Sequence, residues 1–368
     1  MEPAKKEGKR GGKKEAAPKK ETIRKLARIE RIAKIVPIDA SACEKSDEAG
    51  LYSLAHILGW IVLIKKDEFK EGDLVIFAEI DSVFPENEKY EFLKPTGYRV
   101  KTQRKYGNYI QGVALPLSIL KDLPGGDAVE INEGVEVTQI LGIKKFDPEA
   151  RVEPKSGDFP EFLKKTEEQR VQTLPWLVEK CKDMVFYTTE KLDGESATYF
   201  LRDGIYGVCS RNKEVTGSGN KLVQAGKDLG LEEKLRKFGM DIALQGEIIG
   251  EGIAENKYKI KGKTIRFYNV FDIEAQRYYD LDDFEKFIID HLGLETVPIL
   301  DKNFKLPETF DDLLAAADGV SVLNPNQNRE GIVVRPLKET LLPKKFDDDE
   351  DARFSFKIIS NKFLLKHE

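Results

Sequence analysis

Thr189-Glu190-Lys191-Leu192-Asp193-Gly194 follows the apolar run Met184-Val185-Phe186-Tyr187 and precedes Ser196-Ala197-Thr198-Tyr199-Phe200. Both flanks alternate or are β-rich, so Lys191-x-Asp193-Gly194 is expected in a turn between two strands. Gly194 lets the backbone turn tightly or come close to a ligand. Lys191 is then a lone amine at a strand end beside two carboxylates. A protonated lysine is a poor nucleophile; burial and nearby cations lower its pKa and free the amine. Taken alone the motif is weak. Three fixed letters arise by chance in about one Lys-rich chain of this length in ten. The plainer reading is a Lys-Asp hairpin turn on the surface, so the weight rests on the rest of the chain.

The chain has 368 residues, which predicts two domains. It is 40% hydrophobic and 34% charged, enough apolar material for true cores in a soluble chain. The net charge of −5 means that any nucleic-acid surface must be local. Cys43, Cys181 and Cys209 are far apart with no Cys-x-x-Cys, which argues against a disulfide framework or a zinc knuckle and for a reducing compartment. Three histidines, His56, His291 and His367, make a His-based metal site unexpected. No apolar run approaches the ~20 residues that span a bilayer, and the charged N-terminus does not read as a signal peptide. An intracellular protein is expected, in cytoplasm or nucleus.

Residues 1–21 are expected to be a disordered basic tail: residues 1–20 hold eight Lys/Arg and no large apolar residue beyond Met1. From Ile23 the pattern changes. Leu26–Val36 alternates as a strand, Tyr52–Trp60 leads into the strand Ile61–Ile64, and Gly72-Asp73 turns into Leu74–Phe77. Tyr98–Tyr106 alternates basic and other residues, and Ile110–Leu117 is apolar. Five short strands with turn signals and few helices predict an OB-type β-barrel over residues 22–145. Arg99, Lys101, Arg104 and Lys105, with Tyr106 and Tyr109, interleave cations for phosphates with rings for bases, as a nucleic-acid groove needs. A solvated β-ribbon face would carry the same pattern.

Residues 146–162, with three prolines, charges and a Ser-Gly, read as a linker. The second domain, 163–368, reads as mixed α+β. Helices are expected over Gln172–Asp183, Asn220–Phe238, Leu281–Leu292 and Thr309–Ala317. Strands carry single charges: Ile205–Arg211, Ile242–Gly250 with Glu247, Ile265–Ile273 with its aromatics, Gly331–Arg335 after Glu330, and a last strand over Phe354–Phe363 with Lys357. A lone carboxylate such as Glu247 in an apolar strand needs a partner, a ligand or a metal if it faces inward. Asp347–Asp351 reads as an acidic loop.

The ordered set is Lys191-x-Asp193-Gly194, then Ser210-Arg211, Gly246-Glu247-Ile248-Ile249-Gly250, Tyr268-Asn-Val-Phe271-Asp272-Ile273, Glu330-Gly-Ile-Val-Val-Arg335, and Ser355-Phe-Lys357-Ile-Ile. It resembles the covalent nucleotidyltransferase domain of ATP-dependent RNA ligases, nearest the RNA ligase 2-like branch, over about 165–368. The N-terminal half, with Lys66-Asp-Glu-Phe-Lys-Glu-Gly-Asp and Glu79-Ile-Asp-Ser-Val-Phe-Pro85, resembles the OB domain that comes first in one nick-sealing group. DNA ligases and capping guanylyltransferases usually carry the OB domain after the catalytic domain. The implied fold is an OB-type barrel followed by an ATP-grasp-like ligase domain of antiparallel sheets with flanking helices.

The resemblance implies roles. Lys191 would be the nucleophile that becomes Lys-AMP. Glu190 would help hold adenine, Asp193 would orient the loop or an outer-shell water, and Gly194 completes the AMP-binding loop. Arg211 would contact the ribose or the 5′-phosphate, and Glu247 the ribose hydroxyls or metal-bound water. Tyr268 or Phe271 would stack on adenine; alternation does not choose between them. Glu330 would support the metal through water, and Lys357 would contact the α-phosphate. The family often has two lysines two apart on the last strand. Here the neighbours are Ser355 and Ile359, leaving Lys362 as the candidate second cation. The implied cofactors are ATP and Mg²⁺ or Mn²⁺. The implied partner is RNA with 5′-phosphate and 3′-OH ends in a nicked duplex, handled by a monomer. The rival readings are a DNA ligase, a capping guanylyltransferase, and a non-catalytic binding protein on a ligase scaffold.

Overall fold

The computed structural model describes residues 25–39, 50–146, 156–342 and 352–367. The basic tail, Cys43, most of the expected linker and the whole acidic loop at 347–351 lie outside the described residues.

The N-terminal half is a barrel whose long first strand serves two sheets. Strand β1 (Ala27–Pro37) pairs through Ala27–Arg31 with β4 (Leu74–Glu79) and through Ile32–Pro37 with β2 (Tyr52–Ile57). A register shift between Ile32 and Lys34 bends the strand there, as bulges do. Strand β2 continues into β3 (Trp60–Lys65) across a tight turn at Leu58-Gly59. A separate hairpin, β5 (Gln103–Lys105) and β6 (Asn108–Ile110), stands off the main sheet. Strand β7 (Gly112–Leu115) completes the order β3-β2-β1-β4-β7. Gln111 N–H donates to Ile61 O at 2.9 Å and brings the last strand back towards β3, nearly closing the barrel. Ile29, Ile32, Trp60, Val75 and Phe77 fill it. The basic stretch 98–106 is not one strand, contrary to expectation. Tyr98 has a positive φ, Val100 pairs with Ser82, and only Gln103–Lys105 enters the hairpin.

The C-terminal half is two sheets, antiparallel as expected except for one parallel pair, Gln169–Arg170 beside Phe356–Ile359. One holds β8 (Gln169–Arg170), β9 (Val185–Lys191), β14 (Ile299–Lys305), β15 (Gly331–Pro336) and β16 (Phe356–Ile359), in the order β8-β16-β15-β9-β14. The other runs from an edge strand Ser156–Asp158 through Lys213–Val215, β11 (Ile205–Cys209), β10 (Glu195–Arg202), β12 (Ile242–Gly250) and β13 (Lys263–Asp272) to Arg277–Tyr278. Ser156–Asp158 falls in the expected linker, yet it extends this sheet.

The expected helix over Leu281–Leu292 is present as Leu281–Glu285 running on into Lys286–His291, and Phe310–Ala315 fills most of Thr309–Ala317, but the two earlier helices are broken up. Gln172–Asp183 reduces to a 3-10 turn and Leu177–Lys180, interrupted at Pro175. Asn220–Phe238 is two helices, α1 (Lys221–Asp228) capped by the Asn220 side chain and α2 (Leu231–Phe238), broken where Gly230 takes φ 63°. The expected last strand ends at Ile359, and the chain turns into helix α3 (Asn361–His367).

The two halves are packed as one body. Ile359 and Leu364 from the C-terminal end belong to the barrel's own core, with Phe363 against it. Gly59 N–H donates to Gln172 O, and a Cβ on Gly59 would lie 2.6 Å from the Phe310 ring. Asp81 of the barrel accepts from Arg170 at 3.0 Å, and Gln111 Nε2 donates to Asn361 Oδ1 at 3.0 Å.

Candidate active site

Lys191 ends β9 in one sheet, and β10 opens in the other. Leu192-Asp193-Gly194 is therefore the crossing between two sheets and not a hairpin turn. That places Lys191 where the sheets face each other. Gly194 is required by the closeness of this crossing: a Cβ would lie 2.4 Å from Ile248 O and 2.8 Å from Glu247 Cγ.

Register brings the partners in. Lys191 pairs with Gly331 across β9 and β15, so Glu330, just before that strand, lies alongside. Glu330 Oε1 is 2.7 Å from Lys191 Nζ. Its other oxygen, Oε2, is buried without a hydrogen-bond partner. Glu247 lies on β12 opposite Ser196. Burial pushes the Lys191 pKa down, but Glu330, Glu247 and Asp193 outweigh it and hold the pKa above its usual value. The expectation of a freed amine is thus corrected: the near neighbours are carboxylates, so this lysine is an ammonium in the unliganded chain.

Glu190 points to the other side of β9. Its Oε2 accepts from Val322 N–H at 2.8 Å, its Oε1 is buried and unpartnered, and burial raises its pKa. Lys357 sits mid-strand in β16 between Val333 and Arg170, with its charge felt by Glu330. Lys362 lies on α3 and pairs with Asp318 at 2.8 Å, so it is not on the strand that carries Lys357. Arg211 pairs with Glu167 at 3.3 Å and is half-exposed.

The two aromatics separate. A register shift between Gln245 and Gly246 leaves Tyr268 unpaired in β13, so the residues after it face the other way. Phe267 faces the core with Tyr199 and Ile248, whereas Phe271 is buried with Phe200 and Ala243 against Tyr278. Tyr268 packs beside Leu192 and Ile249, and its hydroxyl lies 3.1 Å from Ser196 Oγ. Phe271 is thereby taken out of the site as a scaffold residue.

Two groups escaped the sequence reading. The loop from Gly250 to Gly262 grips Asp193: Lys257 pairs with its carboxylate, and Asp193 N–H donates to Tyr258 Oη at 2.7 Å. Its only signal was three glycines around a basic run. The segment 164–170 straps the other flank. Thr166 Oγ1 lies 3.0 Å from Ser196 Oγ, and Glu168 accepts from Arg335 at 2.7 Å. Burial pushes the Glu168 pKa up, but Arg335, Arg353 and Lys357 bring it down to about 2.

In the barrel, Arg99 is not a groove cation. It pairs with Asp81 at 2.7 Å and stacks on the Phe146 ring at 3.6 Å. Arg104 and Lys105 are exposed on the β5–β6 hairpin, with Arg104 5.8 Å from the Tyr109 ring; Lys101 and Tyr106 are half-buried. Among the described residues no three His, Cys, Asp or Glu are grouped to ligate a metal directly.

A lysine at a crossing between two sheets, ringed by strand-borne carboxylates and a facing lysine strand, defines a covalent nucleotidyltransferase. Comparison with known proteins agrees. A family model described as RNA ligase matches residues 184–359, and one described as an OB-fold domain matches residues 26–117. An apo aspartate mutant of Naegleria gruberi RNA ligase is similar over 94% of this chain and 98% of that one, at 34% identity and TM-score 0.78. A lysine-to-methionine mutant of the same enzyme with AMP and Mn gives 35% identity and TM-score 0.80, covering 94% and 99%. The same ligase with PPi gives 35% and 0.79, with the same coverage. No curated protein sequence matches. The chain belongs to the RNA ligase family.

Proposed function

We propose that this enzyme is an ATP-dependent ligase that joins the 3′-OH and 5′-phosphate ends of RNA at nicks in a duplex. The observation that carries the reading is the Lys191–Glu330 pair at the sheet crossing, with a second buried carboxylate oxygen unsatisfied. A buried acceptor without a donor is costly unless a ligand or ion supplies the missing partner. Solved relatives hold ATP and Mn, AMP and Mn, or PPi.

The donor set suits a hard cation. Glu330, Glu247 and Asp193 offer oxygens only, and their separate anchoring favours ligation through water and phosphate oxygens. Bound there, Mg²⁺ or Mn²⁺ would neutralise phosphate charge. Glu330 and Glu247, with their charge offset there, would hold the Lys191 ammonium less strongly and favour loss of its proton.

The chain's own residues then divide the work. Once the Lys191 ammonium has given a proton to water, Nζ bonds to the α-phosphorus of ATP as the bond to the bridging oxygen breaks and pyrophosphate leaves, and the second proton lost from nitrogen also passes to water. Lys357 offsets charge on the α-phosphate. Tyr268 flanks the base, a role supported by its place beside Leu192. Glu190 accepts from the base edge with its orphaned oxygen. Gly194 keeps the loop close to β12, and Arg211, once released from Glu167, meets a 5′-phosphate. AMP then passes to that 5′-phosphate, and a 3′-OH attacks with release of AMP, steps in which positioning contributes most. Lys362 has no part in nucleotide binding in this reading. Arg104 and Lys105 with Lys101 and Tyr106 hold RNA on the barrel. No helix among the described residues is long and apolar enough to cross a membrane.

The test is incubation with α-labelled ATP or GTP and Mg²⁺ or Mn²⁺, followed by a denaturing gel. Label from ATP alone, acid-labile and base-stable, is expected, and lost by at least about 10³-fold in Lys191→Ala. Label from GTP, or label surviving in that variant, overturns the reading.

A further inference from the structure

Helix α3 lies between the barrel and the Lys191 loop. Its inner side chains Phe363 and Leu364 pack into the barrel core, and Gln111 of the barrel holds Asn361 at its start. Lys362 lies within electrostatic reach of Tyr109 on the β5–β6 hairpin. At the other end, the Phe363 ring stacks with His367 and carries Lys257 Nζ 4.5 Å above it. Lys257 in turn holds Asp193, two residues from Lys191. An unbroken run of contacts therefore leads from the hairpin to the nucleophile.

Most of the exposed charged residues along that run are cationic. Arg104 and Lys105 stand on the hairpin, Lys366 on the outer face of α3, and Lys259 and Lys261 on the Gly250–Gly262 loop. Asp318, paired with Lys362, and the exposed Glu251 and Glu255 are the acidic interruptions. In a chain of net charge −5, such a stripe matches a polyanion. Its end at Lys191 selects the polyanion whose terminus reacts there.

We propose that the outer face of α3 and the Gly250–Gly262 loop carry the RNA phosphate backbone from the barrel hairpin to Lys191. This rests on the ligase reading and deepens it, because it makes the RNA site a composite of barrel, helix and loop and not a property of the barrel alone. Lys259, Lys261 and Lys366 are its contributors outside the barrel.

The test uses the full chain with Lys259→Glu, Lys261→Glu and Lys366→Glu combined, and a second variant with glutamine at the same three positions. Binding of a nicked RNA duplex bearing a 5′-phosphate is measured by fluorescence anisotropy from 50 to 200 mM salt. Lys-AMP formation with ATP alone is measured beside it. The glutamate variant should bind at least about tenfold more weakly, with a salt slope shallower by about two to three, while self-adenylylation stays within about twofold. The glutamine variant should fall between it and the wild type. Wild-type affinity and slope in both variants overturn the track. So does a loss of self-adenylylation as large as the loss of binding, because the loop would then act on Lys191 itself. A wild type that takes no label, but whose RNA binding falls on the charge changes, overturns the ligase reading and leaves the track standing.

Discussion

Two buried charge clusters share one sheet and differ in how they are finished. At Glu168, Arg335 donates at 2.7 Å, Ser355 and Arg353 are close, and Arg353 pairs with Glu339. Cations outweigh burial there, and the carboxyl is driven to about 2. At Lys191, carboxylates outweigh burial, and buried oxygens of Glu330 and Glu190 have no donor. In the first cluster the Glu168 carboxylate is matched by cations, although Arg335 Nη1 is buried without an acceptor, and the pairing ties the strap 164–170 to β15. The second has acceptors to spare, which is the state expected of a site completed by phosphate, base and cation. Perturbed titration alone would flag both as functional; the direction of each shift and the kind of atom left over, carboxylate acceptors near Lys191 against one guanidinium nitrogen of Arg335, separate the two.

The largest way to break that contrast is to remove the barrel. An independent RNA-binding module would predict that deleting residues 1–140 weakens sealing more than self-adenylation. The observed packing predicts otherwise, because Ile359, Leu364 and Phe363 lose their cover and Arg170 loses Asp81. Sealing and self-adenylation should fall together, with loss of a cooperative thermal transition. A deletion protein that still melts cooperatively and takes full label would show the halves to be separable.

Next is the matched cluster. Arg335→Met leaves Glu168 buried without its cation, a loss of about 3–5 kcal/mol, read by urea denaturation. Because the Glu168 pKa is depressed in the folded chain, its contribution is present above the unfolded carboxyl value. It is lost as pH falls from about 4.3 towards about 2. The variant's stability should therefore be flatter than the wild type's across that window; parallel curves would remove Glu168 as the cause.

The smallest and most discriminating pair is Tyr268→Ala against Phe271→Leu. The first should raise the KM for ATP about tenfold, as expected for about 1–1.5 kcal/mol of lost ring contact. The second should cost about 1–1.5 kcal/mol of stability with KM unchanged. The reverse pattern would return Phe271 to the site.

Alternation made Glu247 and Lys357 stand out as charges inside apolar strands, while Lys191 and Glu330, at a strand end and just before a strand, were singled out by the ordered set that resembles RNA ligases. Alternation was enough, too, for β1, β3 and β4 of the barrel and for both domain classes, whereas β2 was read only as the approach to β3. It did not identify the Lys257–Asp193 grip or the strap at Thr166 and Glu168, since those residues sit in loops with no period. Nor could alternation choose between Tyr268 and Phe271, because one unpaired residue in β13 reverses the faces of every residue after it. Arg99 looked like a phosphate ligand until Asp81 and Phe146 were brought beside it.

The residue order alone offered one lysine flanked by carboxylates, an oxygen-only donor set, and a β-barrel ahead of a mixed α+β domain. These follow from side-chain type and local periodicity, which need no partner strand. The tertiary structure decided the rest: that the Lys191 loop crosses between sheets, that its amine is held protonated, and that α3 joins barrel to site. Each depends on strand register and on burial by residues distant in sequence, and neither quantity is written in any one segment of the chain.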